Sequence, residues 1–315
     1  MPKAAPMKPV DPGGPGGPGE PGPMPVPGVD FPVTIATPQQ PDLAYATASP
    51  AQKLDLYLPD RPGPFPVVLI VHGGAFMFGD KSHQISKPGT DYLLGRGYAV
   101  ANVNYRLSGE AKAPAQIQDI KTAVRWLRAH AGEYRLNPEK FGAWGSSAGG
   151  NLVALLGTSC GVAALEGAEL GHADQPSCIQ AAVDWFGPID FLQMDEQFRG
   201  TPCPANHNAA DSPESQVIGA PIQTRPDLVR MINPITYISS GASPFLIQHG
   251  TEDCLVPPQQ SQLLFDALMP AIGADKVHLT LLQGAGHGGG PQFWENANVR
   301  LVLDFLDRFL KQEGP

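Results

Sequence analysis

Positive charge is in short supply in this 315-residue chain. Its 21 Lys and Arg face 30 Asp and Glu, for a formal net charge of -9. That balance argues against nucleic acid or an anionic membrane surface as partner, because both reward clustered cations. Long apolar runs are also missing. The longest, at 67–71 and 152–156, have the length of a strand or a buried helix and fall well short of the about 20 residues a membrane span needs. Cysteine is scarce too: Cys160, Cys178, Cys203 and Cys254, with no C-x-x-C spacing, which argues against a zinc site. Four such residues allow two disulfides in three connectivities, or four buried thiols. Cys160 and Cys178 bracket a short Gly/Ala-rich excursion, so that pair is preferred. Cys203 with Cys254 would then tie a long insertion to the loop after a late strand.

Proline and glycine are plentiful instead, 35 and 36 residues, and much of the excess lies at the front. Residues 1–30 are mostly Pro, Gly and small side chains, which cannot bury a core. Glycine recurs at Gly13, Gly16, Gly19 and Gly22, but four triplets are too few for a collagen-like triple helix. The expectation is a flexible leader over 1–30 and one catalytic domain over 31–315. The leader has neither the basic start nor the apolar middle of a signal peptide. Either the protein stays in the cytoplasm, or it is secreted or periplasmic with its signal removed; the second is preferred.

From residue 43 onward, β-rich apolar runs recur at 43–46, 53–58, 66–71, 98–104, 141–144, 179–186, 244–248 and 278–282. The first two alternate polar and apolar residues around Ala48-Ser49-Pro50 and predict an antiparallel hairpin. Later runs are more continuously apolar, as parallel strands covered on both faces require. Between them, 115–131 carries Ile117, Ile120, Val124 and Leu127 at helical spacing. Near the end, Val299, Leu301, Val302, Phe305, Leu306 and Phe309 form a broad helical stripe. This order predicts an α/β architecture, a single doubly wound sheet of about eight strands. Residues 191–243 hold no clear strand, only helix-like pieces at 212–218 and 227–232. So long a connection is expected to be a lid or cap insertion, with a surface excursion packing its own small core as the alternative.

The chemistry is concentrated where strands end. In Gly145-Ser146-Ser147-Ala148-Gly149 an apolar run gives way to a helix-compatible stretch, and the central serine sits on the turn. Glycines two residues to either side are needed because larger side chains would collide there. A serine hydroxyl is a weak nucleophile unless a base takes its proton and a third group orients that base. Parallel sheets gather such groups beyond strand C-termini. Asp253 follows the seventh run and His287 the eighth, giving the chain order Ser, Asp, His. Ser146 is a poorer nucleophile because Trp144 and Ala148 would flank it. Glu252 is the alternative acid. His278 lies inside a strand, and His249 precedes the acid and is expected to pack under it. After the third run, His72-Gly73-Gly74-Ala75-Phe76 lies in the loop where an oxyanion hole belongs. Gly74, Ala75 and Ala148 are the expected N–H donors, and Gly73 shapes the turn.

These pieces resemble the serine α/β-hydrolase fold family. Within it the chain is similar to the hormone-sensitive-lipase-like carboxylesterases and to the related acetyl-esterase and feruloyl-esterase-like (BD-FAE) group. The resemblance rests on His72-Gly-Gly-Ala-Phe with Gly79-Asp80-Lys81, on Asn104-Tyr105-Arg106-Leu107 and on Ala123-Val-Arg-Trp-Leu127. It also rests on Gly145-Ser-Ser-Ala-Gly-Gly150, Asp184-Trp-Phe-Gly187, His249-Gly-Thr-Glu-Asp253 and Gly286-His287, and it spans about residues 42–310. Two departures from the lipase-like pattern, Ala75 where glycine is usual and Ser146 where an acid is usual, point towards the feruloyl-esterase-like branch.

The resemblance implies a carboxylic ester hydrolase with Ser147, Asp253 and His287 as its triad and no metal or organic cofactor. Its substrates would be short-chain or aryl esters, including feruloyl, acetyl-xylan-type or polyester esters. Peptide hydrolysis and a non-catalytic binding module are the competing readings, and the oligomeric state is not legible. For the small-molecule ester, Phe76, Trp144, Ser146, Met194 and Phe198 are the candidate pocket residues, with Phe186 and Trp294 as further aromatics, although scattered aromatics more often belong to a core.

Overall fold

In the computed structural model, which describes residues 36–82, 86–288 and 290–311, the strands are β1 (Gln40–Ala44), β2 (Lys53–Tyr57), β3 (Phe65–Val71), β4 (Ala99–Val103), β5 (Leu136–Ser146), β6 (Ala181–Trp185), β7 (Phe245–Gly250) and β8 (Val277–Leu282). They form one sheet in the order β1-β2-β4-β3-β5-β6-β7-β8. β2 pairs antiparallel with both β1 and β4, and every pair from β4 through β8 is parallel. All eight expected runs are strands; six have bounds shifted by one or two residues, and two differ more. β5 begins five residues earlier, through the polar Asn137-Pro138-Glu139-Lys140. β1 begins at Gln40, with a register irregularity between Gln40 and Leu43. The leader expected over 1–30 lies outside the described residues.

Alternation along β3 shows how the sheet divides its core. Val67, Leu69 and Val71 face a cluster that contains Ile117, Ile120, Val124 and Leu127 of the helix Ala115–Ala129. Val68 and Ile70 face the other cluster, with Trp144, Trp185 and the final helix Asn296–Leu310. Burying each such aliphatic side chain is worth about 1.5–3 kcal/mol. The expected stripe on the final helix needs one correction. Val299, Val302, Phe305 and Leu306 are buried, but Leu301 is exposed, because at 100° per residue it points away from its neighbours. The 115–131 helix also ends two residues early, at His130, where a separate turn Ala131–Tyr134 starts.

Residues 191–243 are short helical turns, among them Met194–Gln197, Pro213–Ile218 and Pro226–Met231. They do not enclose a core of their own. Phe191, Met194, Val217, Ile218, Ile222, Val229 and Ile232 all join the cluster on the Ile117 face of the sheet. Two disulfides add covalent ties, Cys160–Cys178 and Cys203–Cys254, each with a Cα–Cα distance of 4.9 Å. Among the described residues no helix is long and apolar enough to cross a membrane.

Candidate active site

β5 runs directly into the helix Ala148–Thr158, and Ser147 makes the corner at φ 55, ψ -124. A non-glycine residue there is strained by about 1–3 kcal/mol and persists only where its surroundings over-determine it. Those surroundings are visible. Ser147 N donates to Trp185 O at 2.9 Å, and Ser147 O accepts from Asn151 N at 3.1 Å. A Cβ on Gly145 would lie 2.2 Å from Gly149 O, and one on Gly149 would lie 2.1 Å from Val71 O. Both flanking glycines are therefore dictated by contact.

The loops after β7 and β8 bring two more side chains to this corner. His287 Nε2 is 3.0 Å from Ser147 Oγ, and His287 Nδ1 is 2.6 Å from Asp253 Oδ2. These distances suit a tautomer in which Nδ1–H donates to the carboxylate and Nε2 accepts from the hydroxyl. The ring of Phe186 stands edge-on to the His287 imidazole, centroids 4.7 Å apart. Asp253 is fully buried. Its Oδ1 accepts from the N–H groups of Leu255 (2.8 Å) and Val256 (2.9 Å). Burial alone would raise its pKa, but hydrogen bonds from His249 and His287 and their attraction hold the carboxyl well below the ordinary range. His249 lies beneath it as expected, with Nε2 3.2 Å from Asp253 Oδ2 and 2.9 Å from Val256 O, and Nδ1 2.7 Å from Ser261 Oγ. Among the described residues no hydrogen bond or ion pair links Glu252 or His278 to Ser147 or His287, and Glu252 N donates instead to Ala285 O at 2.9 Å.

The His72-Gly-Gly-Ala-Phe loop passes against the corner. A Cβ built on Gly73 would come 3.2 Å from Ser147 Cβ and 2.9 Å from Ser146 O. Gly74, Ala75 and Phe76 all have positive φ, at 111, 54 and 59. Ala148 is the first residue of the helix that leaves the corner. The loop is braced by residues after β4. Tyr105 stacks on His72 at 4.4 Å and its hydroxyl donates to His72 O at 3.0 Å. Ser108 N donates to Phe76 O at 2.7 Å. Arg106 grips the buried Asp119 through Nε–Oδ2 (2.9 Å) and Nη2–Oδ1 (2.8 Å). Lys81 pairs with Asp42 (3.0 Å) and Asp55 (2.9 Å).

Beside Ser146 and the glycine loop a narrow crevice of about 20 Å³ is lined by Ile70, His72, Gly73, Gly89, Trp144, Ser146, Trp185 and Trp294 among others. Of the candidate pocket residues, Trp144, Ser146 and Trp294 line this crevice. The other pocket candidates need correction: Phe76, Met194 and Phe198 are almost wholly buried and line no part of this crevice. Phe76 packs on Phe191, and Met194 sits in the shared core. An apolar side chain in a long insertion can bury itself against the sheet as readily as it can face a ligand. Ile70, Gly89 and Trp185 were missed, because a strand interior, a helical glycine and a core-like tryptophan carry no local signal of a site. The apolar side chains that remain exposed near the corner are Met77 and Phe78, after the glycine loop, and Leu255, beside Asp253.

One buried acid stands apart from this chain of bonds. Asp184 on β6 accepts from Gly187 N through Oδ1 at 3.0 Å, while its buried Oδ2 has no partner. Burial pushes its pKa up to about 7, against the opposing Gly187 bond. Among the described residues no group of three or more His, Cys, Asp or Glu is placed to hold a metal ion.

Comparison with known proteins agrees with this geometry. The BD-FAE family model matches residues 54–268. The chain is 31% identical to esterase LipC of Mycobacterium tuberculosis over 76% of its own length and 57% of LipC, and 30% identical to esterase LipQ of the same organism over 86% of its length and 62% of LipQ. It therefore spans little more than half the length of these relatives. Among solved structures, a truncated carbohydrate esterase from gut microbiota superposes with a TM-score of 0.78 at 32% identity, covering 86% of this chain and 96% of that one. Esterase 2 of Thermogutta terrifontis, phosphonylated by sarin, shares the fold with a TM-score of 0.71 at 24% identity, over 88% of this chain and 98% of that one. With a doubly wound eight-stranded sheet, a serine at a strained strand-to-helix corner and a family match over two thirds of its residues, this chain belongs to the BD-FAE family of α/β-hydrolases.

Proposed function

We propose that the protein is a serine carboxylesterase acting through an acyl-enzyme, with Ser147 as nucleophile, His287 as general base and acid, and Asp253 as the group that orients His287. The observation that carries this reading is the unbroken chain of contacts from Asp253 Oδ2 through the His287 ring to Ser147 Oγ, 2.6 and 3.0 Å. As Ser147 Oγ attacks the ester carbonyl, His287 Nε2 takes its proton. The imidazolium is stabilised by the Asp253 carboxylate, which stays ionised because its pKa is depressed. Negative charge on the former carbonyl oxygen is met by N–H groups of Gly74, Ala75 and Ala148, and losing one such donor typically adds about 3–4 kcal/mol to the barrier. His287 then returns the proton to the departing alcohol. Water, activated by the same imidazole, releases the acid.

The substrates are short-chain or aryl carboxylic esters. The similarity to a carbohydrate esterase favours ester groups carried on a saccharide over lipid esters. Residues 191–243 act as a fixed cap: their apolar side chains lie in the shared core, and Cys203–Cys254 ties them to the acid loop. The two disulfides also favour an oxidising, secreted or periplasmic setting over the cytoplasm. A panel of p-nitrophenyl esters from acetate to palmitate, with methyl ferulate, tests the assignment on wild type and Ser147→Ala. Hydrolysis of the short esters by wild type, falling about 10⁴-fold or more in the variant, is expected. Equal activity in both proteins would remove Ser147 from its role.

A further inference from the structure

His287 stands on a loop that gives it little support of its own. Gly284, Gly286 and Gly288 surround it in sequence, with Gly284 and Gly288 at φ 72 and 93. So few side chains cannot brace an imidazole from within the loop. Asp253 Oδ2 and Ser147 Oγ hold its two ring nitrogens at 2.6 and 3.0 Å. Hydrogen bonds at the nitrogens fix the two ends of the ring and leave its tilt to whatever packs against it. Among the described residues the ring that meets His287 is Phe186, with centroids 4.7 Å apart and planes at 63°.

Phe186 reaches that place in a strained backbone. Its φ is 44, a region that a bulky residue occupies only where its surroundings over-determine it. Its N–H donates to Gln248 O at 2.8 Å. Asp184 Oδ1 accepts from Gly187 N at 3.0 Å and so closes the turn across Phe186. Gly187 is required there, because a Cβ on it would lie 2.6 Å from both Asn151 N and Asp184 Oδ1. The Phe186 ring is buried, 4.9 Å from Phe293 and 6.3 Å from His249 between centroids. A ring that served the core alone would need no such backbone. Trp185 and Phe293 are buried as deeply from a strand and a helix, without positive φ.

Resting on the esterase reading above, we infer that Phe186 is a positioning residue whose ring sets the tilt of the His287 imidazole, and that the Asp184–Gly187 turn holds Phe186 in place. Phe186 itself exchanges no proton. It acts through the imidazole, which must take the Ser147 proton and later deliver it to the alcohol. The contact matters most in the second half of the cycle. Once Ser147 carries the acyl group, its hydroxyl no longer holds Nε2. Asp253 and Phe186 are then what keep the ring aligned for the incoming water.

The test compares Phe186→Leu, which removes the ring against His287, with Phe293→Leu, which removes a neighbouring ring that packs on Trp185 and Phe186. Active sites are counted from the end point of organophosphonate labelling, so that unfolded molecules drop out of kcat. For p-nitrophenyl acetate, Phe186→Leu should lose about 10- to 100-fold in kcat per labelled site, with KM within about twofold. Its rate of labelling should fall in parallel. Phe293→Leu should keep kcat per site within about threefold, whatever happens to its melting temperature. An unchanged kcat per site in Phe186→Leu, or an equal loss in both variants, overturns the positioning role and leaves the esterase reading intact. A loss carried mainly by KM overturns it too, because Phe186 would then act on substrate binding. A wild type that neither hydrolyses the ester nor takes the label brings down the esterase reading instead.

Discussion

The two sides of the Ser147 corner are held in opposite ways. On the side of residues 191–243, the chain is fastened at many points. Asn151 Nδ2 donates to Pro188 O (2.7 Å) and Ile232 O (3.2 Å), Ala113 N donates to Val217 O (2.9 Å), and Cys203–Cys254 closes the far end. Its apolar side chains are spent on the common core. On the side of Gly89 and Trp294, the boundary is made of aromatic faces and a bare helix backbone, with the crevice left between them. The first side supplies rigidity to the elbow and the acid loop; the second leaves a narrow crevice beside Ser146. Strain follows the same division. Ser147, Ala75, Phe76 and Phe186 all hold positive φ, and the fastened elements around them keep those conformations in place.

Breaking the fastened side should change stability before it changes selectivity. The largest effect is expected from Cys203→Ser with Cys254→Ser. That disulfide closes 51 residues against 18 for Cys160–Cys178, so chain entropy assigns it about 4 kcal/mol and the shorter one about 3. Denaturant midpoints of the two double variants should rank in that order, and the reverse order would mean that the cap is not fastened as described.

Asp184 comes next. Burial raises its folded pKa to about 7, well above that of an ordinary aspartate. It therefore contributes stability that is fully present below the unfolded pKa and is lost as pH rises through about 7. Asp184→Asn should gain on wild type by roughly 3 kcal/mol between pH 4 and pH 8 in paired urea titrations. Parallel pH curves for the two proteins would show that Asp184 is ionised in the folded state.

Met194→Ala sharpens the comparison most. Met194 is wholly buried, so its truncation should cost about 3 kcal/mol while leaving the acyl-chain profile unchanged. A shift of acyl preference in Met194→Ala would move the binding side to the cap. The smallest effect is expected from Tyr105→Phe, which deletes one hydrogen bond to His72 O, worth about 1 kcal/mol. It should lower kcat modestly with KM nearly unchanged.

These regions also differed in how legible they were beforehand. The parallel strands could be recognised because strands buried on both faces are continuous apolar runs, and the β1–β2 hairpin because its residues alternate polar and apolar. The start of β5 escaped because Asn137 to Lys140 are polar and include a proline; Leu136 pairs with Phe65, and the register is irregular up to the Val67–Phe141 pair. Ser147, Asp253 and His287 were identifiable because each lies on a loop that ends a strand and carries a turn signal. The crevice was not. Ile70, Gly89 and Trp185 are separated by up to 115 residues in the numbering and look like ordinary core positions until the sheet and its helices bring them together. Met194 and Phe198 failed in the opposite sense: Met194 is buried in the core shared with the sheet, and Phe198 is buried against His207. His249 was placed correctly under Asp253, but its double role towards Asp253 Oδ2 and Val256 O depends on the shape of the loop after β7.

The most direct test of the central claim is covalent labelling by an organophosphonate, read by intact mass and peptide mapping. The account predicts one adduct per chain, on Ser147, with none on Ser147→Ala and much slower labelling of His287→Ala. Labelling of another residue, or an undiminished adduct on Ser147→Ala, would contradict it.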